Sequence, residues 1–171
     1  EPLQGEVMVY PLSQHIGAPA KPLVAKGDHV LKGQIIAEAG GFISANVLSS
    51  VSGTVKGIES KLVANGAMVQ SILVENDGEE EAIEGFGTDR DASKLSKEEI
   101  RQIVKDAGIV GLGGAGFPTH VKLTPKDENA IDYVIVNGAE CEPYLTSDYR
   151  TMIERPEQII GGLKVMLQLF D

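Results

Sequence analysis

The stretch Leu23-Val24-Ala25-Lys26-Gly27-Asp28-His29-Val30 has a second copy later in the chain, Leu62-Val63-Ala64-Asn65-Gly66-Ala67-Met68-Val69. Each copy places a glycine at the same position, and a short apolar run follows each, at residues 34–37 and 70–74. Short apolar runs separated by glycine turns are typical of compact all-β structure. The repeat therefore predicts that the N-terminal part of the chain is a β-unit built from two similar halves.

This arrangement resembles the pseudo-twofold sandwich of biotinyl and lipoyl carrier domains. The resemblance implies an all-β barrel-sandwich hybrid over residues 1–75. Carriers of that family display a modified lysine on a hairpin between the two halves. Since no lysine occurs between Lys32 and Lys56, we expect a sandwich that has kept the fold and lost the carrier lysine.

The charge pattern changes after the β-unit. Residues 76–95 are acidic and poor in apolar side chains, which predicts a solvated linker. A helix is then expected to begin at Ser96, which forms a capping box with Glu99, and to end near Gly108. A further helix is expected from Pro156, which suits the first helical position. Residues 96–171 thus predict a partial α/β domain, and the whole chain belongs to the mixed α and β class.

The predicted helix leads into a glycine-rich stretch, Gly111-Leu112-Gly113-Gly114-Ala115-Gly116-Phe117-Pro118-Thr119-His120-Val121-Lys122. Glycines at this density allow backbone N–H groups to approach a ligand closely, because no Cβ atom is in the way. Such a loop forms a concave anion site suited to phosphate. Lys122 adds a positive charge and Phe117 a flat ring face, so the loop predicts a nucleotide-like ligand.

Two standard phosphate loops do not account for this stretch. Gly111, Gly113 and Gly116 satisfy the dinucleotide pattern G-x-G-x-x-G, but that pattern needs a strand before it and a helix at its end. A phosphate-binding P-loop would continue with lysine and serine or threonine, where this chain has Phe117 and Pro118. A glycine-rich connection without any ligand stays open as an alternative.

A second candidate segment follows a run of β-branched residues. Residues 131–136 read Ile-Asp-Tyr-Val-Ile-Val, as expected of a buried strand. The run leads into Asn137-Gly138-Ala139-Glu140-Cys141-Glu142-Pro143-Tyr144. Ligands of open α/β sheets bind beyond the carboxyl ends of strands, where these polar groups are predicted to lie. The alternatives are a simple turn at Asn137 and solvated glutamates.

The two segments together resemble the flavin and NADH site of the complex I flavoprotein subunit and, more closely, the RnfC family. The matching motifs are GLGGAGFPTHVKL, VNGAECEPYLTSDYR and, near the start, PLSQHIGAP. Two positions depart from the complex I pattern, with Leu112 in place of an arginine and Ala139 in place of an aspartate. The resemblance implies an FMN site and an adjoining NAD(H) site formed by Gly111, Gly113, Gly114, Gly116, Phe117, Lys122, Asn137, Glu140 and Glu142. Among these, Phe117 and Glu142 would face NADH, and Glu140 would line the flavin pocket.

The same resemblance implies a function for the full protein. It would move electrons between NAD(H), FMN and iron–sulfur clusters in a membrane-bound, ion-translocating ferredoxin:NAD oxidoreductase complex. Other subunits would be its direct partners and ferredoxin an indirect one, on the cytoplasmic side of the membrane as a peripheral protein. The clusters would lie in a C-terminal region beyond residues 96–171. The alternatives are an RnfC-like cobalamin reductase of the microcompartment type and a non-catalytic docking module.

The composition and the ends of the chain bear on what kind of protein this is. A formal net charge of −10 over 171 residues argues against nucleic-acid binding, which normally shows a basic footprint. No apolar run reaches the roughly 18 residues of a membrane span, and no signal peptide is visible. The chain begins at Glu1 without methionine and stops within an apolar helical pattern. We therefore expect an excised fragment, which alone would be inactive.

Single reactive residues are few. Cys141 is the only cysteine, so neither a disulfide nor an iron–sulfur cluster is expected within these residues. We expect Cys141 to be a small, partly buried thiol. His15, His29 and His120 lack the spacing of metal ligands, and we expect surface or loop roles for them. No metal site, catalytic nucleophile or acid–base pair is predicted.

Overall fold

A computed structural model describes residues 5–112 and 114–170. Its N-terminal part consists of two antiparallel sheets, which confirms the predicted β-sandwich. The first sheet has the order β1-β7-β6-β3, formed by Val7–Pro11, Met68–Asn76, Gly53–Leu62 and His29–Val30. The second has the order β2-β4-β5, formed by Lys21–Pro22, Ile35–Glu38 and Val47–Leu48.

A single apolar core lies within the sandwich. Strand β7 contributes Ile72 and Val74, which pair with Tyr10 and Met8 of β1. The core also includes Leu12, Val30, Ile36, Val47, Val51 and Val55, all buried. Burial of each such side chain stabilises the fold by about 1.5–3 kcal/mol. The apolar runs that follow the two copies of the repeat therefore supply part of the core, and strand β1 and residues 47–55 supply much of the remainder.

Both copies of the repeat contain a turn, but the hydrogen bonds that close the two turns differ by one position in the repeat. In the first, the Asp28 amide donates to the Ala25 carbonyl at 3.1 Å, and in the second the Gly66 amide donates to the Val63 carbonyl at 2.9 Å. Gly27 and Gly66 both have positive φ, +96° and +83°, which explains why glycine recurs at this position. The strands that begin within the two copies differ in length, since β3 has two residues and β7 has nine.

The acidic segment is exposed, as expected of a linker, but it is attached to the sandwich. Ala82 forms a parallel bridge with Lys32, and the Ile83 amide donates to the Lys32 carbonyl at 3.1 Å. The Lys32 ammonium also lies 5.9 Å from the centre of the Phe86 ring. The chain therefore runs along the surface of the sandwich between the two units.

The described part of the second unit is helical. Its helices are α1 (Lys97–Asp106), α2 (Thr119–Lys122), α3 (Ser147–Glu154) and α4 (Pro156–Leu167). The predicted capping box of Ser96 and Glu99 is present, and Pro156 occupies the first turn of α4. Ile100, Leu123 and Leu169 form a small buried cluster that joins α1 to the segments after α2 and α4.

The predicted strand at residues 131–136 is wrong. The segment forms no strand, and the Ile135 side chain is 86% exposed. A strand of a parallel sheet is stable only when neighbouring strands satisfy its backbone groups and cover both of its faces. Among the described residues, no strand pairs with this run. The β-branched residues alone were therefore not sufficient for a strand.

Candidate functional site

The glycine loop is a closed turn between α1 and α2. Its ends are joined by an antiparallel bridge between Val110 and Pro118. Two hydrogen bonds support the closure, from the Gly111 amide to the Phe117 carbonyl at 2.9 Å and from the Thr119 amide to the Ile109 carbonyl at 2.9 Å. A helix precedes the loop and a single helical turn follows it. This geometry agrees with the prediction that neither standard phosphate loop applies.

A cleft of about 860 Å³ lies between this loop and the sandwich. Three segments line it: the tip of the β6–β7 hairpin at residues 62–65, the loop at 13–16, and the glycine loop at 110–112 and 114–116. Val9 and Pro11 complete the lining. Among the described residues, the lining contains no aspartate, glutamate, lysine or arginine. The cleft is therefore free of fixed negative charge in a protein of net charge −10.

Gly114 leaves open space on the loop. A Cβ atom built at this position would meet no heavy atom within 4 Å. Its neighbour Leu112 is fully exposed, and Gly111 also borders the cleft. Gly114 itself is exposed, so its backbone is accessible to a ligand. Gly113, also predicted to bind the cofactor, lies outside the described residues.

Gly116 and Gly108 allow the two ends of the loop to lie against the sandwich. A Cβ atom on Gly116 would be 2.8 Å from the Gln14 carbonyl oxygen. A Cβ atom on Gly108 would be 2.4 Å from the Asn46 carbonyl oxygen. The Ile16 amide also donates to the Ala115 carbonyl at 3.0 Å. Sequence reasoning missed these contacts, because they join residues far apart in the chain.

His15 lies in a loop, as expected, but it is not at the surface, because only 8% of its surface is exposed. Nε2 of the ring accepts a hydrogen bond from the Ala45 amide at 3.1 Å. Nδ1 lies 3.1 Å from the Ile16 carbonyl oxygen. The motif PLSQHIGAP includes this residue. It indicated a family resemblance but predicted no structural role for the histidine. His29, by contrast, is exposed and lies 3.1 Å from the Asp77 carboxylate.

Lys122 and Phe117 lie beside the loop and do not line the cleft. Lys122 ends α2 with an exposed side chain and makes no ion pair within the described part of the chain. Phe117 is half-buried, and its carbonyl closes the loop. The neighbouring His120 is partly buried; its desolvation, with a smaller contribution from Lys105, lowers the pKa of the imidazole.

The second predicted segment does not reach the cleft. Asn137 accepts a hydrogen bond from the Ala139 amide at 3.0 Å, and Glu140 accepts one from the Tyr149 amide at 3.0 Å. Glu142 is exposed. The adjacent Cys141 is also exposed, so the expectation of a partly buried thiol is wrong. The structure thus brings Gly111, Gly114 and Gly116 together around the cleft and leaves Asn137, Glu140 and Glu142 outside its lining.

The residues around the loop fit the phosphate end of FMN. The cleft has the size of a typical cofactor pocket, about 300–1,000 Å³. Its lining carries no carboxylate, the space at Gly114 is open, and the Lys122 charge is unpaired among the described residues. Backbone donors and a nearby cation are the usual partners of phosphate groups.

Comparison with known families gives two matches that follow one another along the chain. The family described as "RnfC Barrel sandwich hybrid domain" matches residues 2–79. The family described as "Nuo51 FMN-binding domain" matches residues 104–171. These matches confirm the predicted order of a barrel-sandwich hybrid followed by an FMN-binding domain.

Curated relatives align over nearly the whole chain. The C subunit of the proton-translocating ferredoxin:NAD(+) oxidoreductase complex of Clostridium ljungdahlii is 45% identical over 170 residues, which cover 99% of this chain and 37% of the relative. Its counterpart in the Na(+)-translocating complex of Acetobacterium woodii is 45% identical over 166 residues, covering 95% and 37%. The counterpart in the ion-translocating oxidoreductase complex of Pseudomonas aeruginosa is 42% identical over 163 residues, covering 94% and 21%.

This chain therefore spans little more than a third of the length of the first two relatives. The aligned region includes both units, since it covers 99% of this chain. The two family matches and these relatives agree with the order of units that the motifs predicted. The chain is therefore similar, over nearly its whole length, to the C subunits of ion-translocating ferredoxin:NAD(+) oxidoreductase complexes, and its sandwich matches the RnfC barrel sandwich hybrid domain.

Proposed function

We propose that the chain forms the sandwich and the phosphate-binding part of an electron-transfer subunit. The full protein moves electrons between NAD(H), FMN and iron–sulfur clusters in a membrane-bound, ion-translocating ferredoxin:NAD oxidoreductase complex. The names of the relatives support the complex, and the match to an FMN-binding domain supports the flavin. Since this chain covers 37% of the first relative, the clusters are assigned to the remainder of the full protein.

One observation carries the flavin assignment. The cleft at the glycine loop has no charged side chain among its described lining residues and has an open position at Gly114, and the exposed Lys122, which follows the loop in the chain, has no ion-pair partner among the described residues. We assign the FMN phosphate to the backbone amides around Gly113 and Gly114, with Lys122 neutralising part of its charge. Gly111 closes the loop, and Gly116 seats it on the sandwich. Bound FMN would supply the redox chemistry, and these residues hold it and orient it.

The remaining predicted contacts require the second segment to approach the loop. We assign Asn137 and Glu140 to the flavin, and Phe117 and Glu142 to NADH. In support, Asn137 follows directly after the apolar run at 131–136, whose exposed side chains have no partner strand among the described residues. Residues of the longer protein that cover these exposed side chains would hold Asn137 and Glu140 against the loop.

The relatives' names also support the assignment of partners. The subunit would contact other subunits of the complex directly and exchange electrons with ferredoxin through them. We place it at the cytoplasmic face of the membrane as a peripheral protein. Within the part of the chain that the structure describes, no helix has the length and apolar character needed to cross a bilayer.

Titration of the full-length protein with FMN tests the proposal. We expect saturable binding of one FMN per chain at the glycine loop, detected by quenching of flavin fluorescence. Substitutions at Gly114 and Lys122 distinguish this site from any other flavin site in the full-length protein. FMN binding that neither substitution weakens would reject the assignment. The absence of any FMN binding would reject it as well.

A further inference from the structure

The sandwich contributes a buried histidine to the support of the glycine loop. We propose that His15 is a positioning residue for the flavin site, an inference that rests on the proposed function. It fixes the loop at residues 13–16, and that loop in turn fixes the backbone of Ala115 and Gly116. The carrier-type sandwich would then be part of the cofactor site, although it bears no carrier lysine.

The hydrogen bonds of His15 determine its tautomer. The Ala45 amide donates to Nε2 at 3.1 Å, and an amide nitrogen cannot accept, so Nε2 carries no proton. The proton of the neutral ring is therefore on Nδ1, which donates to the Ile16 carbonyl at 3.1 Å. Ala45 is buried as well, with 1% of its surface exposed. The imidazole thus joins two backbone segments of the sandwich from a buried position.

Ile16 connects this histidine to the glycine loop. Its carbonyl accepts from His15, and its amide donates to the Ala115 carbonyl at 3.0 Å. On the next residue, a Cβ atom at Gly116 would be 3.2 Å from the His15 Cα atom. Apart from the imidazole, these contacts involve only main-chain atoms. They therefore connect His15 to Ala115 and Gly116 without a flexible side chain.

The position of the ring adds to this argument. His15 borders the cleft and also a smaller cavity of about 270 Å³, whose lining includes Gly108 and Asn46. His15 therefore lines both spaces. Removal of the ring would extend the empty volume under the loop and free the Ile16 carbonyl. We expect the loop to become mobile while the pairing of strands β1 and β7 around Ile72 stays intact.

The test compares His15→Ala with two partial replacements in the full-length protein. Asparagine places its amide near the position of Nδ1 and retains the donor to Ile16. Glutamine places its amide near Nε2 and retains only the acceptor for Ala45. Hydrogen–deuterium exchange of peptides covering residues 109–117 reports the loop without cofactor, and exchange at residues 72–74 reports the sandwich core. FMN titration gives the affinity, and His29→Ala is the matched control, because His29 is exposed and remote from the cleft.

We expect His15→Ala to accelerate exchange at 109–117, to leave 72–74 protected, and to weaken FMN binding by about fivefold to tenfold. His15→Asn should restore most of the loop protection, and His29→Ala should change neither reading. Wild-type exchange and affinity in His15→Ala would overturn the proposal. Loss of protection at 72–74 in both His15→Ala and His15→Gln would also overturn it, because His15 would then be a general core residue. If the wild-type protein binds no FMN, the proposed function is wrong. The hydrogen–deuterium exchange at residues 109–117 would still show whether His15 positions the loop.

Discussion

The Ser52 hydroxyl donates a hydrogen bond of 2.6 Å to the Asp77 carboxylate, immediately after the last strand of the sandwich. Ser52 is completely buried, and the Glu79 amide and His29 also bond to this carboxylate. These interactions, with the Ser52 bond the largest, lower the pKa of Asp77 below its ordinary value of 3.8. The pair fixes the start of the acidic segment on the sandwich.

This shift predicts a pH-dependent effect of Asp77→Asn. Because the folded state holds the carboxylate ionised, its stabilising contribution is full above about pH 4 and is lost as the pH falls through the lower, folded pKa. The variant should be less stable than wild type at pH 7, and the difference should shrink below about pH 4. Urea unfolding at several pH values measures it. Asp89→Asn removes an exposed carboxylate of the same segment as the control; an equal, pH-independent loss in both variants would contradict the assignment.

Lys122→Ala should weaken FMN binding to the full-length protein. A charge-assisted bond to phosphate contributes about 1.5–3 kcal/mol, so we expect a loss of about tenfold to a hundredfold in affinity. Lys126→Ala is the matched control, since Lys126 is an exposed lysine just beyond α2. Equal affinities of both variants by flavin fluorescence titration would exclude Lys122 from the phosphate site.

Gly114→Val should abolish FMN binding, because the side chain would occupy the open space over the loop. Valine also strains a backbone with φ of +71°, so stability must be separated from binding. Gly27→Val provides this control, as Gly27 has φ of +96°, also faces open space, and lies away from the cleft. Both variants should lose thermal stability, and only Gly114→Val should lose FMN. Retained FMN affinity in a folded Gly114→Val protein would contradict the site.

Residues 1–171 alone should neither oxidise NADH nor carry an iron–sulfur cluster. Clusters are held by about four cysteine thiolates, and this sequence offers Cys141 alone. The predicted NADH contacts Phe117 and Glu142 do not line the cleft. The purified chain should be colourless and inactive in an NADH:ferricyanide assay, and the full-length protein brown and active. Sustained turnover by residues 1–171 would show that the active site is already complete within them.

The sandwich should carry no prosthetic group. The connection between β4 and β5 lies between the two halves of the repeat and has no lysine to modify. After co-expression with biotin and lipoate ligases, intact-mass measurement should give the unmodified mass. A biotinyl or lipoyl increment would show that another lysine serves as a carrier.

Local sequence signals predicted local structure well. The capping box at Ser96 and the proline start of α4 depend on neighbours within one turn, and both are present. The β-repeat was equally clear, because each copy carries its own turn and apolar run. The strand prediction for residues 131–136 was wrong for a physical reason. Residues with high β-propensity form a strand only when partner strands pair with them, and none of the described residues does so. His15 was missed because its partner Ala45 lies in a distant loop.

The contacts that attach the glycine loop to the sandwich have an evolutionary consequence. They join the Ile16 amide to the Ala115 carbonyl and place Gly108 and Gly116 against the carbonyls of Asn46 and Gln14. Every residue except proline has the same backbone donor and acceptor, so a change of side chain at Ile16 to anything but proline, or any change at Ala115, retains this hydrogen bond. Added bulk at either glycine would separate the two units. Selection should therefore act at these positions on the absence of a side chain, and the interface can persist in relatives whose surfaces have diverged.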